Sequence, residues 1–265
     1  MLSTDYVPGV PNWLDIGSPD VDRAVAYYTA LFGWGFEPLG EDTGYGVFRQ
    51  DEDVVAAIGP LTEEGARSEW TVYFRVDDAD GAVAAAAEAG GAVRVPPFDV
   101  FTNGRMAALT DPTGAEFAIW QPRDTAGLDL VTDPVSLAWV ELHTDNPGDA
   151  RAFYHSVLEW NSADVPTPGG DGEYVLLTPR DGGDSSSFGG VVRKEHGKSH
   201  WLPYFEVPDA DAVMARNDEL GGGLVLPAVY AAGVGRTAWL SDPSGARFGV
   251  LTSTNQNRSD PGATG

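Results

Sequence analysis

The chain is written twice. Residues 11–34, PNWLDIGSPDVDRAVAYYTALFGW, align with residues 137–160, LAWVELHTDNPGDARAFYHSVLEW, at a constant offset of 126 that superposes Trp13 on Trp139, Tyr28 on Tyr154 and Trp34 on Trp160. Further along the offset becomes 131: WTVYFRVDDADGAVAAAAEAGG (70–91) matches WLPYFEVPDADAVMARNDELGG (201–222), and GRMAALTDPTGAEFAIW (104–120) matches GRTAWLSDPSGARFGVL (235–251). The second copy has gained five residues, placed in the Gly/Pro/Asp-rich stretch DVPTPGGDGE (164–173). A repeat of this length requires that each copy form a similar unit, so the chain must build two of them.

Each copy divides again. The patterns read as four strand-helix-strand-strand-strand modules at about 8–62, 69–122, 136–192 and 199–252, with RDTAGLDLVTDP (123–134) linking the halves and residues 254–265 expected as a disordered tail. The first helix is expected to cap on Ser18, with Pro19 in its first turn and Asp20 and Asp22 at the positive end of the dipole. Ala24, Tyr28, Leu31 and Phe32 form its apolar stripe, and Gly33 ends it. A second helix, DADGAVAAAAEA, is stopped by Gly90 and Gly91. TVYFRV, GYGVFRQ, RMAALT and EFAIW are short, β-branched or aromatic, and bounded by turn residues, as strands are. A four-stranded sheet with one helix leaves a face uncovered, so modules must pair and bury or line something with it. The pairing itself, within a half or between halves, is left open.

Composition narrows the functions available. With 42% apolar and 11% aromatic residues the chain is globular, and no apolar run approaches the roughly 18 residues of a membrane helix. The opening MLSTDYVPGVPNW lacks a secretory pattern, so a cytoplasmic location is expected. Zero cysteines exclude disulfides, thiolate zinc sites, iron-sulfur ligation and cysteine nucleophiles. A formal charge of −24 and a pI near 4.2 repel nucleic acid and anionic membranes. No phosphate-binding loop, dinucleotide fingerprint, nucleophile elbow or H-E-x-x-H motif is present, and DGGDSSSFGG (181–190), with no helix after it, reads as a hairpin loop. A small molecule is the expected partner, with the chain a monomer or homodimer.

The motifs SPDVDRAVAYYTALFGW, YFRVDDAD and DPTGAEFAIW, set in paired modules, resemble the vicinal oxygen chelate superfamily of glyoxalase I, extradiol dioxygenases and bleomycin-resistance proteins, in its two-copy actinobacterial form. The resemblance covers nearly the whole chain. It implies an α+β fold in which four βαβββ modules form two tandem glyoxalase/bleomycin-resistance-like half-barrel domains, 8–122 and 135–253. Metal-using members of that superfamily draw His, Glu or Gln ligands from the opening strands and a closing strand of the modules. Carried over, those positions are Trp13, Thr71 and Ala118 in the first half and Trp139, Leu202 and Gly249 in the second. Indole, methyl and hydrogen side chains offer no lone pair, so neither a metal nor another cofactor is expected. A register shifted by two residues would instead bring in Asp15 or Glu141, with His143 and His200 completing a displaced triad in the second half.

Strand alternation sorts the candidate pocket. One parity puts Trp13, Asp15, Thr71, Tyr73, Glu116 and Trp120 on the inner face of the first half, and Trp139, Glu141, His143, Leu202, Tyr204 and Arg247 on that of the second. The other parity, Leu14, Ile16, Val72, Phe74, Phe117 and Ile119, is apolar and belongs under the helices. Aromatic plates beside carboxylates suit a flat, largely apolar ligand, although such aromatics can also simply fill a barrel. The expected function is metal-free binding of a hydrophobic aromatic metabolite in antibiotic self-resistance or secondary metabolism. The alternatives are a cofactor-independent isomerase, cyclase or lyase using Glu141 or Asp15 with His143, and a metal-dependent lyase or dioxygenase with displaced ligands. Arg105 and Arg236, each after a glycine, suit either an anionic ligand or a structural ion pair, while His155 and His196 are expected to be exposed.

Overall fold

In the computed structural model, which describes residues 2–40, 43–166, 173–194, 197–231 and 233–254, the sequence repeat becomes two eight-stranded sheets. The first half runs β1 (Pro11–Ser18), α1 (Val21–Phe32), β2 (Gly35–Pro38), β3 (Gly46–Gln50), β4 (Asp53–Pro60), β5 (Glu69–Arg75), α2 (Ala79–Glu88), β6 (Ala92–Val100), β7 (Gly104–Thr110) and β8 (Glu116–Pro122). The second runs β9 (Leu137–Thr144), α3 (Pro147–Leu158), β10 (Asn161–Pro166), β11 (Glu173–Thr178), β12 (Gly189–Arg193), β13 (His200–Glu206), α4 (Ala210–Glu219), β14 (Gly223–Ala231), β15 (Gly235–Ser241) and β16 (Arg247–Ser253). Strand order is β2-β3-β4-β1-β5-β8-β7-β6 in one sheet and β10-β11-β12-β9-β13-β16-β15-β14 in the other. The seam of each sheet is an antiparallel pair of opening strands, β1 with β5 and β9 with β13. Modules therefore pair within a half, and the chain is an α+β protein of two tandem βαβββ pairs.

Helix α1 caps two residues later than the sequence suggests. Asp20 is the cap and its carboxylate accepts from the Arg23 amide at 3.1 Å. Ser18 is still the last residue of β1, and its hydroxyl turns back on the Asp20 backbone, accepting from the amide at 3.2 Å and donating to the carbonyl at 3.0 Å. Gly33 then ends the helix at φ 78°, while the corresponding residue of α3 is Glu159 at φ 56°.

The apolar parity is buried as expected. Leu14, Ile16, Val72, Phe74, Phe117 and Ile119 are inaccessible and lie in a core shared by both halves. Phe74 meets Trp160 and Trp201 at 4.9 and 5.1 Å between ring centroids, and Phe205 meets Phe32 and Trp70 at 5.2 and 5.4 Å. Two tyrosines of the repeat cross this boundary. Tyr28 accepts from Trp70 Nε1 at 3.2 Å and donates to Asp242 of the other half at 3.3 Å; Tyr154 accepts from Trp201 Nε1 at 2.9 Å and lies against Asp111. Asp111 and Asp242 open the DP-[TS]-GA segments, where each also ties its own turn by accepting from amides two and four residues on, at 2.8 and 2.9 Å. That segment thus closes a turn and anchors the opposite half.

The connection at 123–134 is a packed strap. Leu128 donates to the Asn12 carbonyl at 2.9 Å, Asp129 to that of Val54 at 2.8 Å, and Val131 bridges to Leu137. Arg105 holds Asp80 and Asp99 at 2.9 Å, and Arg236 pairs with Asp211 through both carboxylate oxygens, so both arginines are engaged as ion pairs within their own halves. Stretch 181–190 connects the antiparallel pair β11 and β12. His155 is exposed, with Nδ1 2.9 Å from the Trp160 carbonyl. His196, residues 167–172 of the longer loop and the tail beyond Thr254 lie outside the described residues. Among the described residues no helix is long and apolar enough to cross a membrane.

Candidate functional site

Because β1, β5 and β8 give one parity to the shared core, the other faces a cleft of about 2800 Å³. Trp13, Asp15, Thr71, Tyr73, Glu116 and Trp120 all line it. At its floor Asp15 Oδ2 accepts from the Tyr73 hydroxyl at 2.7 Å and the Tyr45 hydroxyl at 3.3 Å, and Tyr45 in turn accepts from Trp13 Nε1 at 3.4 Å. Burial pushes the Asp15 carboxyl up to about 6, against the downward pull of its bonds to Tyr73, Tyr45 and Thr71. Burial, and after it the Asp15 charge, hold the Tyr73 and Tyr45 hydroxyls well above their usual range, so both remain proton donors.

Above this floor the indoles of Trp13 and Trp120 lie 6.5 Å apart with planes at 18°. Trp120 is pinned by a 2.9 Å bond from Nε1 to the Thr125 carbonyl, and Gly104 permits its position, since a β-carbon there would overlap the ring. Met106 and Val100 pack beside them. Phe101, at φ 49° and 86% exposed, stands on the lip. Glu116 is drawn to the rim, where it pairs with Arg94 at 3.0 Å and with Lys198 of the second half.

The second half repeats the floor with a different ceiling. Glu141 accepts from Tyr204 at 2.5 Å and Tyr174 at 3.0 Å, and Tyr174 accepts from Trp139 Nε1 at 2.8 Å. Here Trp239 reaches inward and donates to the Tyr204 hydroxyl at 2.6 Å. His143, 3% exposed, places Nε2 3.3 Å from Glu141 Oε2 without an aligned hydrogen bond, its ring edge-on to Trp239 and parallel to His200. His143, His200, Leu202, Trp239 and the exposed Arg247 reach the large cleft, whereas Trp139, Glu141, Tyr174 and Tyr204 do not line it.

The sequence-chosen residues thus separate into two constellations, one around Asp15 and one around Glu141 and His143. Tyr45, Tyr174, Met106 and Trp239 were not among them. Tyr45 and Tyr174 are repeat partners at an offset of 129, inside the segment where the second copy has gained residues and the alignment is hardest to follow. Trp239 matches Ala108, so no repeat signal marks it.

A divalent ion needs about three converging donors. Among the described residues no three His, Asp or Glu side chains converge in that way. The carboxylates of Asp15 and Glu141 are each engaged by two phenols. His143 and His200 lie with planes at 11° and centroids 5.1 Å apart, so their in-plane lone pairs run side by side. At the closing strands, Tyr204 lies across Gly249, where a β-carbon would overlap its ring, and Tyr73 is the register neighbour of Ala118. These donors do not fit a resident divalent ion.

Comparison with known proteins places this frame. The family model described as "Glyoxalase/Bleomycin resistance protein/Dioxygenase superfamily" matches residues 11–119. The chain is 38% identical over 255 residues to "Putative glyoxylase CFP32" of Mycobacterium tuberculosis (strain CDC 1551 / Oshkosh), covering 94% of this chain and 96% of that one. It is also 38% identical over 266 residues to "Anthracycline biosynthesis protein DauV" of Streptomyces sp. (strain C5), covering 94% of each. Among solved structures, the 2,3-dioxygenase LapB from Pseudomonas sp. KL28 superposes with a TM-score of 0.61 at 18% identity over 93% of each chain. The Mn(II)-bound glyoxalase from Novosphingobium aromaticivorans superposes with 0.61 at 19% identity, over 93% of this chain and 83% of that one. The chain belongs to the glyoxalase/bleomycin resistance protein/dioxygenase superfamily.

Proposed function

We propose that the protein binds a planar, largely apolar aromatic metabolite in the first-half cleft, without a metal, and serves secondary metabolism. The observation that carries this reading is the pair of near-parallel indoles, Trp13 and Trp120, held over the half-buried Asp15 carboxyl. Hydrogen bonds fix both rings before a ligand arrives, which reduces the ordering needed on binding. Flat apolar walls above a floor of one carboxyl and two phenols select for ring systems that carry a carbonyl or hydroxyl at one edge. The kinship with the anthracycline biosynthesis protein supports a ligand of the polycyclic aromatic kind.

Titration of the intact protein with a panel of planar aromatics, read by calorimetry, tests the proposal. Trp120→Ala should weaken binding by about 2 kcal/mol, roughly 30-fold, while Leu251→Ala at the matching position leaves it unchanged. Failure of every panel member to bind, or indifference to Trp120→Ala, overturns the reading.

A second reading has one observation in its favour. A carboxyl held at about 6 is matched to proton transfer near neutral pH, which would make Asp15 a general acid or base acting on the bound ligand. In that case Asp15→Asn abolishes turnover and leaves ligand affinity nearly intact; equal loss of both reduces Asp15 to a contact.

A further inference from the structure

A chain with 40 acidic residues against 16 Lys and Arg should present an acidic cleft, yet one end of this cleft is basic. The chain's two lysines, Lys194 and Lys198, two of its four histidines, His143 and His200, and Arg247 all line that end, and all come from the second half. The repeat shows that the basic character is local substitution on a common frame. Arg247 stands where the first half has Glu116, His200 where it has Glu69, and His143 where it has Gly17.

These groups are close enough to act on one another. Burial holds the His200 ring down at about 4, and the neighbouring His143, Lys194 and Arg247 add to that depression. Lys194 is lowered by burial and by Arg247, with Asp145 opposing. Lys198 is already satisfied by Glu116, whereas among the described residues no carboxylate forms an ion pair with Lys194 or Arg247. Behind them His143, almost wholly buried, turns Nε2 towards the Glu141 carboxylate at 3.3 Å without an aligned hydrogen bond, so its ring backs the wall. Lys194 Nζ donates to the Lys198 carbonyl, a neutral acceptor that leaves its charge unbalanced. Cations crowded together in a partly desolvated wall, with no carboxylate partner among the described residues, are an unfavourable arrangement that a bound oxyanion would relieve.

We propose that the ligand carries a carboxylate, bound at this end by Lys194 and Arg247 with the two histidines alongside, while its rings lie on Trp13 and Trp120. The ring end of this proposal rests on the aromatic-binding function above; the anionic end rests on the second half alone. The two constellations then have complementary tasks in one cleft, one half holding the rings and the other the charge.

Two probes separate the claims: anthraquinone-2-carboxylate and the neutral anthraquinone-2-carboxamide, titrated calorimetrically into the intact protein at low and high salt. The carboxylate should bind at least about tenfold tighter than the carboxamide, with the advantage shrinking as salt rises. In the Lys194→Ala/Arg247→Ala double variant the advantage should vanish while carboxamide affinity holds. Equal affinity of both probes for the unaltered protein, or an advantage that survives in the double variant, overturns the anionic end and leaves the aromatic reading standing. If neither probe binds, the aromatic reading falls and this proposal falls with it.

Discussion

The two halves hold the same carboxylate-tyrosine-tryptophan floor and cover it differently. Asp15, Tyr73, Tyr45 and Trp13 correspond to Glu141, Tyr204, Tyr174 and Trp139, and the hydrogen bonds run the same way in both. Above the floor a single indole has changed strands. The first half has Trp120 on β8 and Ala108 on β7, whereas the second has Leu251 on β16 and Trp239 on β15. On β8 the indole lies flat along the cleft wall, parallel to Trp13; on β15 it points inward, bonds Tyr204 and stands between Glu141 and the cleft. The floor depends on backbone positions common to both copies, so it tolerates the exchange. Of the second-half residues, Trp239 lines the cleft and Glu141 does not.

The largest effect that would break this comparison concerns the floor of the open half. The Asp15 carboxyl is raised from 3.8 to about 6 on folding, so its contribution to stability is fully present below pH 3.8 and is lost as pH rises through about 6. Asp15→Asn removes that dependence. The stability of the variant minus that of the unaltered protein should therefore climb by roughly 2.5 kcal/mol between pH 4 and pH 7.5, with the rise complete by about pH 7. Denaturant melts of both proteins across that range measure it, and a flat difference would place the Asp15 carboxylate in contact with water. Next in size, Trp239→Ala gives the second half the Ala108 arrangement of the first. The loss of its packing on His143 and its bond to Tyr204 should lower stability by about 2 kcal/mol. The double variant Trp239→Ala/Leu251→Trp, which also supplies the parallel indole that the second half lacks, should gain a second aromatic-binding site in calorimetry. Two sites in the unaltered protein, or one in the double variant, would mean that Trp239 does not govern access.

How much of this was legible from residue order depends on where the repeat is clean. Trp13 with Trp139, Asp15 with Glu141 and Tyr73 with Tyr204 sit in segments of constant offset, and the first member of each pair lines the cleft while the second does not. The same matching could not separate Trp34 and Trp160 from Trp13 and Trp139. All four are repeat-paired, but the first two lie in the core between the sheets, a placement that depends on how the halves dock. Tyr45 and Tyr174 escaped because β3 and β11 flank the segment where the copies differ in length. Trp239, Lys194 and Lys198 escaped for the opposite reason: they are departures from the repeat, whereas His143, His200 and Arg247 were legible from strand parity. Glu116 lines the cleft, yet it is tied by Arg94 of β6 and by Lys198 on a loop of the other half that no local pattern points to.

The docking between halves should show near symmetry where the clefts do not. Tyr28→Phe strands the buried Asp242 and the Trp70 indole, and should cost about 1.5 kcal/mol in a denaturant melt. Tyr154→Phe, its repeat partner, should cost a similar amount, and a several-fold disparity would show that the boundary is anchored from one side. The smallest effect lies at the ends of the first helix in each half. Gly33 and Glu159 both close their helices with positive φ, at 78° and 56°, but only glycine takes that conformation without steric strain. Glu159→Gly removes the strain and also removes an exposed ion pair to Arg180 that contributes little in water. The expected net is a gain of about 0.5 kcal/mol. Gly33→Ala, which imposes the same strain on the first half, should lose about 1 kcal/mol, and no β-carbon clash complicates the comparison because nothing lies within 4 Å of that position. If Glu159→Gly instead destabilises, the Arg180 contact is stronger than its exposure implies, and the second half has used its departure from glycine to tie α3 to the β11–β12 connection.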